Sequence, residues 1–537
     1  MSGKPLGTIL ICSNVYPPRF IGGAELIAHY QAQALRRQGW RVIVFTGDLG
    51  DIGERHAMRL EPQDGIPVFR VRLIGEDYQP DFVSFHHAKV EEHFQSLLAE
   101  YKPDVVHMHN IMGLSLGIIR AAKKSGTITA ITLHDFWGFC LKNTIIKDGL
   151  AVCHDHTLCR ECLPSIADGD NRQIPIRLRN DYVRMRVSSA DHLISPSLYL
   201  AQKYATMGFP LQRIRVVWNG IDSGRFGSLV KIAPVDEAVR FTFIGHLGHH
   251  KGVSTLFEAI RRLDRPASKF FVNLVGVGEL MEPMEKFAAE HGLAANVRFW
   301  GRVPNEQIHE VFAATDVQLL PSIWPENQPV SITEAMASET AVIASTLGGT
   351  AELVEEGESG FLTIPGDAED LAARMRAFID DPELSRRFGA RGRARMLPFS
   401  FDRQVEKISR LYRTPVRAAT QPETLVVFSG RRFIPALVEI LNHAPETVGA
   451  RPLRFVMDEW IDKDELRQAA VVVLLDDSLN ARIADMAKDT GKPVLFSAMA
   501  PHLRPALGPV ARPWLGPNSL WTEICAILGI PSTPVAR

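Results

Sequence analysis

This sequence lacks any apolar run long enough to cross a bilayer. Stretches such as Ala469–Leu475 fall far short of the roughly 20 residues required. It also lacks an excess of either charge, with 60 Lys and Arg against 61 Asp and Glu and a formal net charge of -1. No global basic field therefore argues for nucleic acid. Cysteine is scarce, six residues in 537, which excludes a secreted scaffold held by disulfides. The N-terminal segment does not read as a signal peptide. Lys4 precedes only the short apolar stretch Thr8–Cys12, which runs straight into Ser13-Asn14 and predicts a first strand. The expectation is a cytoplasmic protein. What remains is ordinary globular composition, 46% hydrophobic and 23% charged, in a chain too long for a single core.

Short apolar strands alternate with longer amphipathic segments. Thr8–Ser13, Arg41–Thr46, Val68–Val71, Asp104–Met108 and Ala130–Leu133 read as strands. Gly22–Gly39, Val90–Tyr101 and Leu114–Lys124 read as helices between them. The pattern restarts near Arg240 with strands predicted at Phe241–Ile244, Phe270–Val275, Val297–Trp300, Val317–Leu320 and Ala341–Ala344. Helices are predicted at Gly252–Arg262 and Glu306–Ala314. After the linker Thr414–Glu423, which contains Pro415 and Pro422, strands are predicted at Leu425–Phe428, Leu453–Met457, Val471–Leu475 and Val494–Phe496, with a helix at Ala481–Thr490. The expected class is α/β, with units at 1–222, 223–413 and 424–537, the last without a chemical motif. Two doubly wound units leave a cleft between their strand C-terminal ends, where ligands bind open sheets.

The strongest signal follows the strand Val317–Leu320. In Pro321-Ser322-Ile323-Trp324-Pro325-Glu326-Asn327-Gln328-Pro329-Val330-Ser331-Ile332-Thr333-Glu334-Ala335, two carboxylates are separated by seven residues. Glu326 falls in a loop and Glu334 about a turn into a helix, so both can face one cleft. A carboxylate at that edge can accept two hydroxyl hydrogen bonds, as a ribose or hexose offers. The same pair also suits a helix start, where the dipole favours negative charge. Gly245-His246-Leu247-Gly248-His249-His250-Lys251-Gly252 follows the strand Phe241–Ile244. An ammonium at a helix start there can stabilise a departing diphosphate; a surface lysine is the alternative.

The 321–335 segment resembles the Glu-seven-Glu signature of the family 4 glycosyltransferases, retaining enzymes of the GT-B fold. Met336-Ala337, Gly348-Gly349-Thr350-Ala351-Glu352-Leu353, Gly360-Phe361-Leu362 and Pro365-Gly366-Asp367 are similar to that family as well. The likeness covers roughly Thr8 to Tyr412. It implies two facing Rossmann-like domains, with 1–222 on the acceptor side and 223–413 binding the donor. A last helix near Phe399–Tyr412 would cross back to the first domain. It implies that Glu334 holds the donor ribose, that Glu326 sits by the transferred sugar with Asn327 and Gln328 beside it, and that Lys251 meets the diphosphate. The family usually has an arginine where this chain has His246, so His246 is a weaker phosphate donor or the diphosphate relies on Lys251 and backbone amides. Base recognition is expected from the backbone around Gly301-Arg302-Val303.

Tyr16-Pro17-Pro18-Arg19-Phe20-Ile21-Gly22-Gly23-Ala24-Glu25 joins the first strand to the first helix. Gly22 and Gly23 at a helix N-terminus let backbone approach an anion, although such pairs often only make a turn. In this position the loop resembles the family's glycine-rich loop, which packs against donor and acceptor. His134, in Thr132-Leu133-His134-Asp135-Phe136-Trp137, ends a strand, and the resemblance implies that it contacts the transferred sugar. His107 and His109 line the acceptor side or are structural. Glu326, His134 and Lys251 are thus the expected catalytic groups.

Cys140, Cys153, Cys159 and Cys162 crowd the loop 140–162, where Cys159 and Cys162 have the C-x-x-C spacing. Together they can form a structural zinc site, with His154 and His156 as spare ligands, or hold an iron–sulfur cluster. Free thiols or a redox pair is the alternative. Asp168-Gly169-Asp170 is read as a solvated turn, and Gly276-Val277-Gly278 as a tight strand-to-helix turn near the donor. The basic run Arg177, Arg179, Arg184 and Arg186 is either a solvated face or a contact for an anionic lipid-linked saccharide at a membrane surface.

The resulting expectation is hexosyl transfer from a nucleoside diphosphate sugar to a saccharide or lipid-linked saccharide. The resemblance implies retention and no metal or other cofactor in catalysis. The competing readings are a sugar-nucleotide epimerase or hydrolase on the same fold, or a non-catalytic subunit that binds nucleotide sugar.

Overall fold

The computed structural model describes residues 5–19, 22–147, 151–155, 158–232, 238–414, 423–431, 433–476, 480–497 and 503–532. Lys4, Phe20, Ile21, His156 and the linker prolines Pro415 and Pro422 lie outside the described residues.

Three sheets organise the chain. In the first, the order is Ile214–Val216, His192–Ser195, Ile128–Thr132, Val105–Met108, Thr8–Ser13, Arg41–Asp48, Val68–Arg72 and Met58–Leu60. Every pairing is parallel except that of the last strand. The strand cores are mostly apolar because helices cover both faces, with buried polar residues such as Arg70, His107 and Thr129 among them. The second sheet runs Val297–Gly301, Phe270–Val275, Val239–Ile244, Val317–Leu320, Ala341–Ser345 and Gly360–Thr363. This is the doubly wound order 3-2-1-4-5-6, with its reversal between Val239–Ile244 and Val317–Leu320. The third sheet places Arg451–Met457, Thr424–Ser429, Val471–Leu474, Val494–Ser497 and Ala511–Trp514 in the order 2-1-3-4-5, with Thr447–Val448 antiparallel at the edge.

His192–Ser195, Ile214–Val216 and Ala511–Trp514 are strands that periodicity did not reveal. They have three or four residues each, and Ala511–Trp514 holds Pro513, which an edge strand tolerates. The helix Phe401–Tyr412 returns to the first sheet: Phe401, Val405, Ile408 and Tyr412 share one buried cluster with Ile9, Ile11 and Trp40.

Neither reading of the basic run holds. Arg177, Arg179, Arg184 and Arg186 lie on the helix Ile176–Ser189 and are only 3% to 8% exposed. That helix packs on Arg451–Met457, so the third sheet covers it. Arg177 Nε donates to Asp181 Oδ2 at 2.8 Å, and Arg184 Nη1 to Glu446 Oε2 at 2.9 Å. Arg186 forks onto Glu465. Asp181 also accepts Phe455 N at 3.0 Å. Val427, Phe455 and Trp460 of the third unit belong to the same apolar cluster as Phe45, Phe94 and Tyr182 of the first. The guanidinium groups of Arg177, Arg184 and Arg186 are therefore interdomain ligands, whereas Arg179 donates to Trp137 O within the first unit.

Candidate active site

The switch point of the second sheet generates two adjacent loops, which carry Lys251 and Glu326. From Val239–Ile244 the chain passes through a short turn, His249–Lys251, into the helix Val253–Arg261. Gly252 between them has φ +70°, and a Cβ there would stand 1.9 Å from Pro321 O. Only glycine permits this approach of the two loops. Ile323 N donates to His250 O at 3.0 Å, which ties them further. The result is direct pairing: Lys251 Nζ lies 2.7 Å from Glu326 Oε1. The same oxygen accepts Ser322 Oγ and Trp324 Nε1, each at 2.7 Å, and the ammonium lies 4.8 Å from the Trp324 ring centroid. Burial alone would raise the Glu326 carboxyl, but Lys251, Ser322 and Trp324 together hold it below its ordinary value.

Glu334 is treated differently. It lies on the buried face of the helix Val330–Ala337, and burial pushes its carboxyl up to about 8, with Arg225 opposing and Asp222 adding to the shift. No hydrogen-bond partner for it occurs among the described residues. The two glutamates of one motif thus have opposite electrostatic states. The neighbouring side chains bridge the domains. Asn327 Nδ2 donates to His134 O at 2.8 Å, whereas the carboxamide of Gln328 is taken by the Asn219 backbone. Gly348, at φ +73°, would place a Cβ 2.0 Å from Glu326 O, so the Gly348-Gly349 turn fits closely under the Glu326 loop. His246 Nε2 is 2.8 Å from Glu279 Oε2, which also accepts His249 N through its other oxygen; a carboxylate therefore anchors this loop. Val303 is half-buried beyond Gly301, and Gly301 O accepts Gly276 N at 2.8 Å.

On the facing domain, Gly22 is the N-cap of the helix Gly23–Arg37, and its N–H donates to Glu25 Oε2 at 2.8 Å. A Cβ on Gly23 would stand 2.8 Å from Val330 Cγ2, so this glycine abuts the helix that carries Glu334. His134 follows the strand Ile128–Thr132, and its Nε2 lies 2.8 Å from His109 Nδ1, with the rings stacked at 5.1 Å. Burial lowers His134 to about 4 and keeps both rings neutral. His109 Nε2 is buried without a partner among the described residues. An orphaned lone pair costs less than an orphaned N–H. This puts the His109 proton on Nδ1, donating to His134, and the His134 proton on Nδ1. His107 stacks on His109 at 4.6 Å and meets Tyr412 Oη at 2.7 Å, joining the crossover helix to the histidine stack.

Lys251, Glu326, Asn327 and His134 thus form one run of contacts across the two domains. Two family models match the chain: "Glycosyltransferase Family 4" over residues 21–225 and "Glycosyl transferases group 1" over 230–395. The chain belongs to the family 4 GT-B glycosyltransferases. A glycogen synthase of Mycobacterium tuberculosis is 24% identical over 428 residues, covering 77% of this chain and 96% of that protein. The putative glycosyltransferase EpsD of Bacillus subtilis is 28% identical, over 70% and 90% of the two chains. Among solved structures, a sucrose-phosphate synthase from Thermosynechococcus elongatus superposes with a TM-score of 0.56 at 20% identity, covering 76% of this chain and 98% of its own. Anabaena HepE in complex with UDP does so at 0.54 and 20%, over 75% and 98%.

In this glycosyltransferase several site-forming residues escaped the sequence reading. Ser322 and Trp324 lie inside the quoted motif, yet their hydrogen bonds depend on a loop path that spacing does not encode. Glu352 accepts Leu198 N at 2.9 Å and Tyr199 N at 2.7 Å, so a carboxylate of the second unit caps a helix of the first. Asp135 accepts Asn110 and Asn143 Nδ2 at 3.0 Å each, and burial raises its carboxyl. Asp168 closes the tip of the hairpin Ser165–Ala167 and Gln173–Pro175 by pairing with Arg172, in keeping with a turn. Gly276, at φ +140°, makes the tight turn expected of it.

Proposed function

We propose that the enzyme moves a hexosyl group from a nucleoside diphosphate sugar to a hydroxyl of a saccharide or lipid-linked saccharide, with net retention and no essential divalent metal. The observation that carries this reading is the Lys251–Glu326 pair at the switch point, beside the partnerless carboxyl of Glu334. A diphosphate entering there meets an ammonium and the amides of the Gly245–Gly252 loop. Charge that develops on the leaving oxygen is stabilised without reorganising water. The anomeric C–O bond to phosphate breaks, the acceptor oxygen bonds to the same face, and its proton passes to the departing phosphate. Neutral His134 donates to a sugar hydroxyl. Glu334 accepts from a ribose diol. The UDP-glucose complex of HepE and the glycogen synthase relative are in keeping with such substrates. No helix among the described residues is long and apolar enough to cross a membrane.

Proton NMR of the product decides the stereochemistry. A retained anomeric configuration is expected, and an inverted product ends the same-face mechanism. Glu334 supplies a second prediction. Its folded value near 8 lies above the ordinary 4.5, so folding favours the protonated acid. That contribution is complete below about 4.5 and is lost as pH rises through about 8. Glu334→Gln, which cannot ionise, should melt higher than wild type at pH 8, melt equally near pH 4.5, and bind donor far more weakly. Parallel melting curves of the two proteins across that range would contradict the assignment.

A further inference from the structure

The loop after His134 carries a feature that glycosyl transfer does not use. Cys140, Cys153, Cys159 and Cys162 all line one cavity, together with Phe139 and Ile145. None of the four is engaged in a disulfide. Cys153 Sγ lies 3.3 Å from Asp155 O, and Cys159 Sγ lies 4.0 Å from Phe139 O. Asn143 and Ile145 in this loop adopt φ of +62° and +52°, a conformation that is costly for a β-branched residue.

An independent observation concerns charge. Arg179 is 3% exposed and makes no salt bridge with a carboxylate among the described residues. It donates to Trp137 O at 2.7 Å and to Asn180 Oδ1 at 3.3 Å. The groups that act on it are Cys159 and Cys140 and, more weakly, Tyr204 and the Asp135 carboxyl. The side chains of Lys142 and Lys147 also border the cavity. A buried guanidinium without an anion is costly. A cluster of thiolates bound to a divalent cation carries the compensating negative charge. The contrasting set is His56, Asp77 and His87, whose ligand atoms lie within 4.8 Å of one another. There Arg55 already neutralises the carboxylate at 2.5 Å.

We propose that Cys140, Cys153, Cys159 and Cys162 bind one zinc ion as a tetrahedral thiolate site. Binding displaces the four thiol protons to solvent and involves no change of oxidation state. No three of the sulfurs lie within 4.8 Å of one another, so the ion draws the loop inward as it binds. Its role is positional. The loop holds Asn143, which donates to Asp135 next to His134, so the metal braces the acceptor side of the reaction centre.

The test uses the full chain, purified without chelator from zinc-supplemented cells. Elemental analysis should find one zinc per chain, released by about four equivalents of an organomercurial. Cys159→Ser should lose the zinc and melt at a lower temperature. Should that variant not fold, the wild-type chain reconstituted with cobalt(II) should show thiolate-to-cobalt charge transfer and the d–d bands of a tetrahedral site. A metal-free chain whose thiols titrate freely, a disulfide, iron in place of zinc, or cobalt spectra without thiolate bands would each overturn the proposal.

Discussion

Lys251→Met is expected to lower kcat by about 100- to 1,000-fold, with a smaller rise in the donor KM. The asymmetry follows from where charge appears. The ammonium is 2.7 Å from Glu326 before any donor binds, so in the ground state it already has a partner. It gains most when the bond to the diphosphate breaks and negative charge grows beside it. A thousandfold loss corresponds to about 4 kcal/mol of transition-state stabilisation. Lys251→Met also strands the buried Glu326 carboxylate, although Ser322 and Trp324 still donate to it. Some loss of stability is therefore expected, and the double variant Lys251→Met with Glu326→Gln should recover it without recovering activity. Lys251→Arg, which keeps the charge, should retain more turnover than Lys251→Met. Steady-state kinetics and thermal melts on the four proteins separate these effects. Equal kcat in wild type and Lys251→Met would remove the lysine from the chemistry.

The second large effect concerns the third domain. Trp460 is 1% exposed and packs across the domain boundary, 5.1 Å from the Phe85 ring and 5.3 Å from Tyr182. Trp460→Ala should cost about 3–5 kcal/mol, the usual range for emptying such a site. Because the two units share one apolar cluster, the loss should appear as a single cooperative transition at lower denaturant. A chain ending at Arg413 should be worse still. It would expose the apolar face of Ile176–Ser189 and strip Arg184 and Arg186 of Glu446 and Glu465. Aggregation or a molten state is expected from the truncated chain. A well-folded, active truncation would show that the third domain is merely appended.

Residue order and spacing were enough to read the α/β class and most of the longer strands. Buried parallel strands announce themselves as apolar runs, and the Lys251 and Glu326 loops each follow such a run directly. The short strands and the cleft's hydrogen bonds were not legible, because three or four residues carry too little pattern and a loop's path is set by what it packs against. Gly252 shows the difference: its identity hints at a turn, but only the proximity of Pro321 O explains why a glycine is needed.

Local sequence thus determined which segments would be strands and which side chains could bear chemistry, since periodicity and residue type act over a few positions. Tertiary structure alone decided their electrostatic fates. It made one glutamate of the motif an ion-paired anion and the other an acid near 8. It also turned Arg177, Arg184 and Arg186 of an apparently solvated row into buried ligands of the third domain. Arg186 has the same local signature whether it faces water or Glu465, and that carboxylate is 279 positions away.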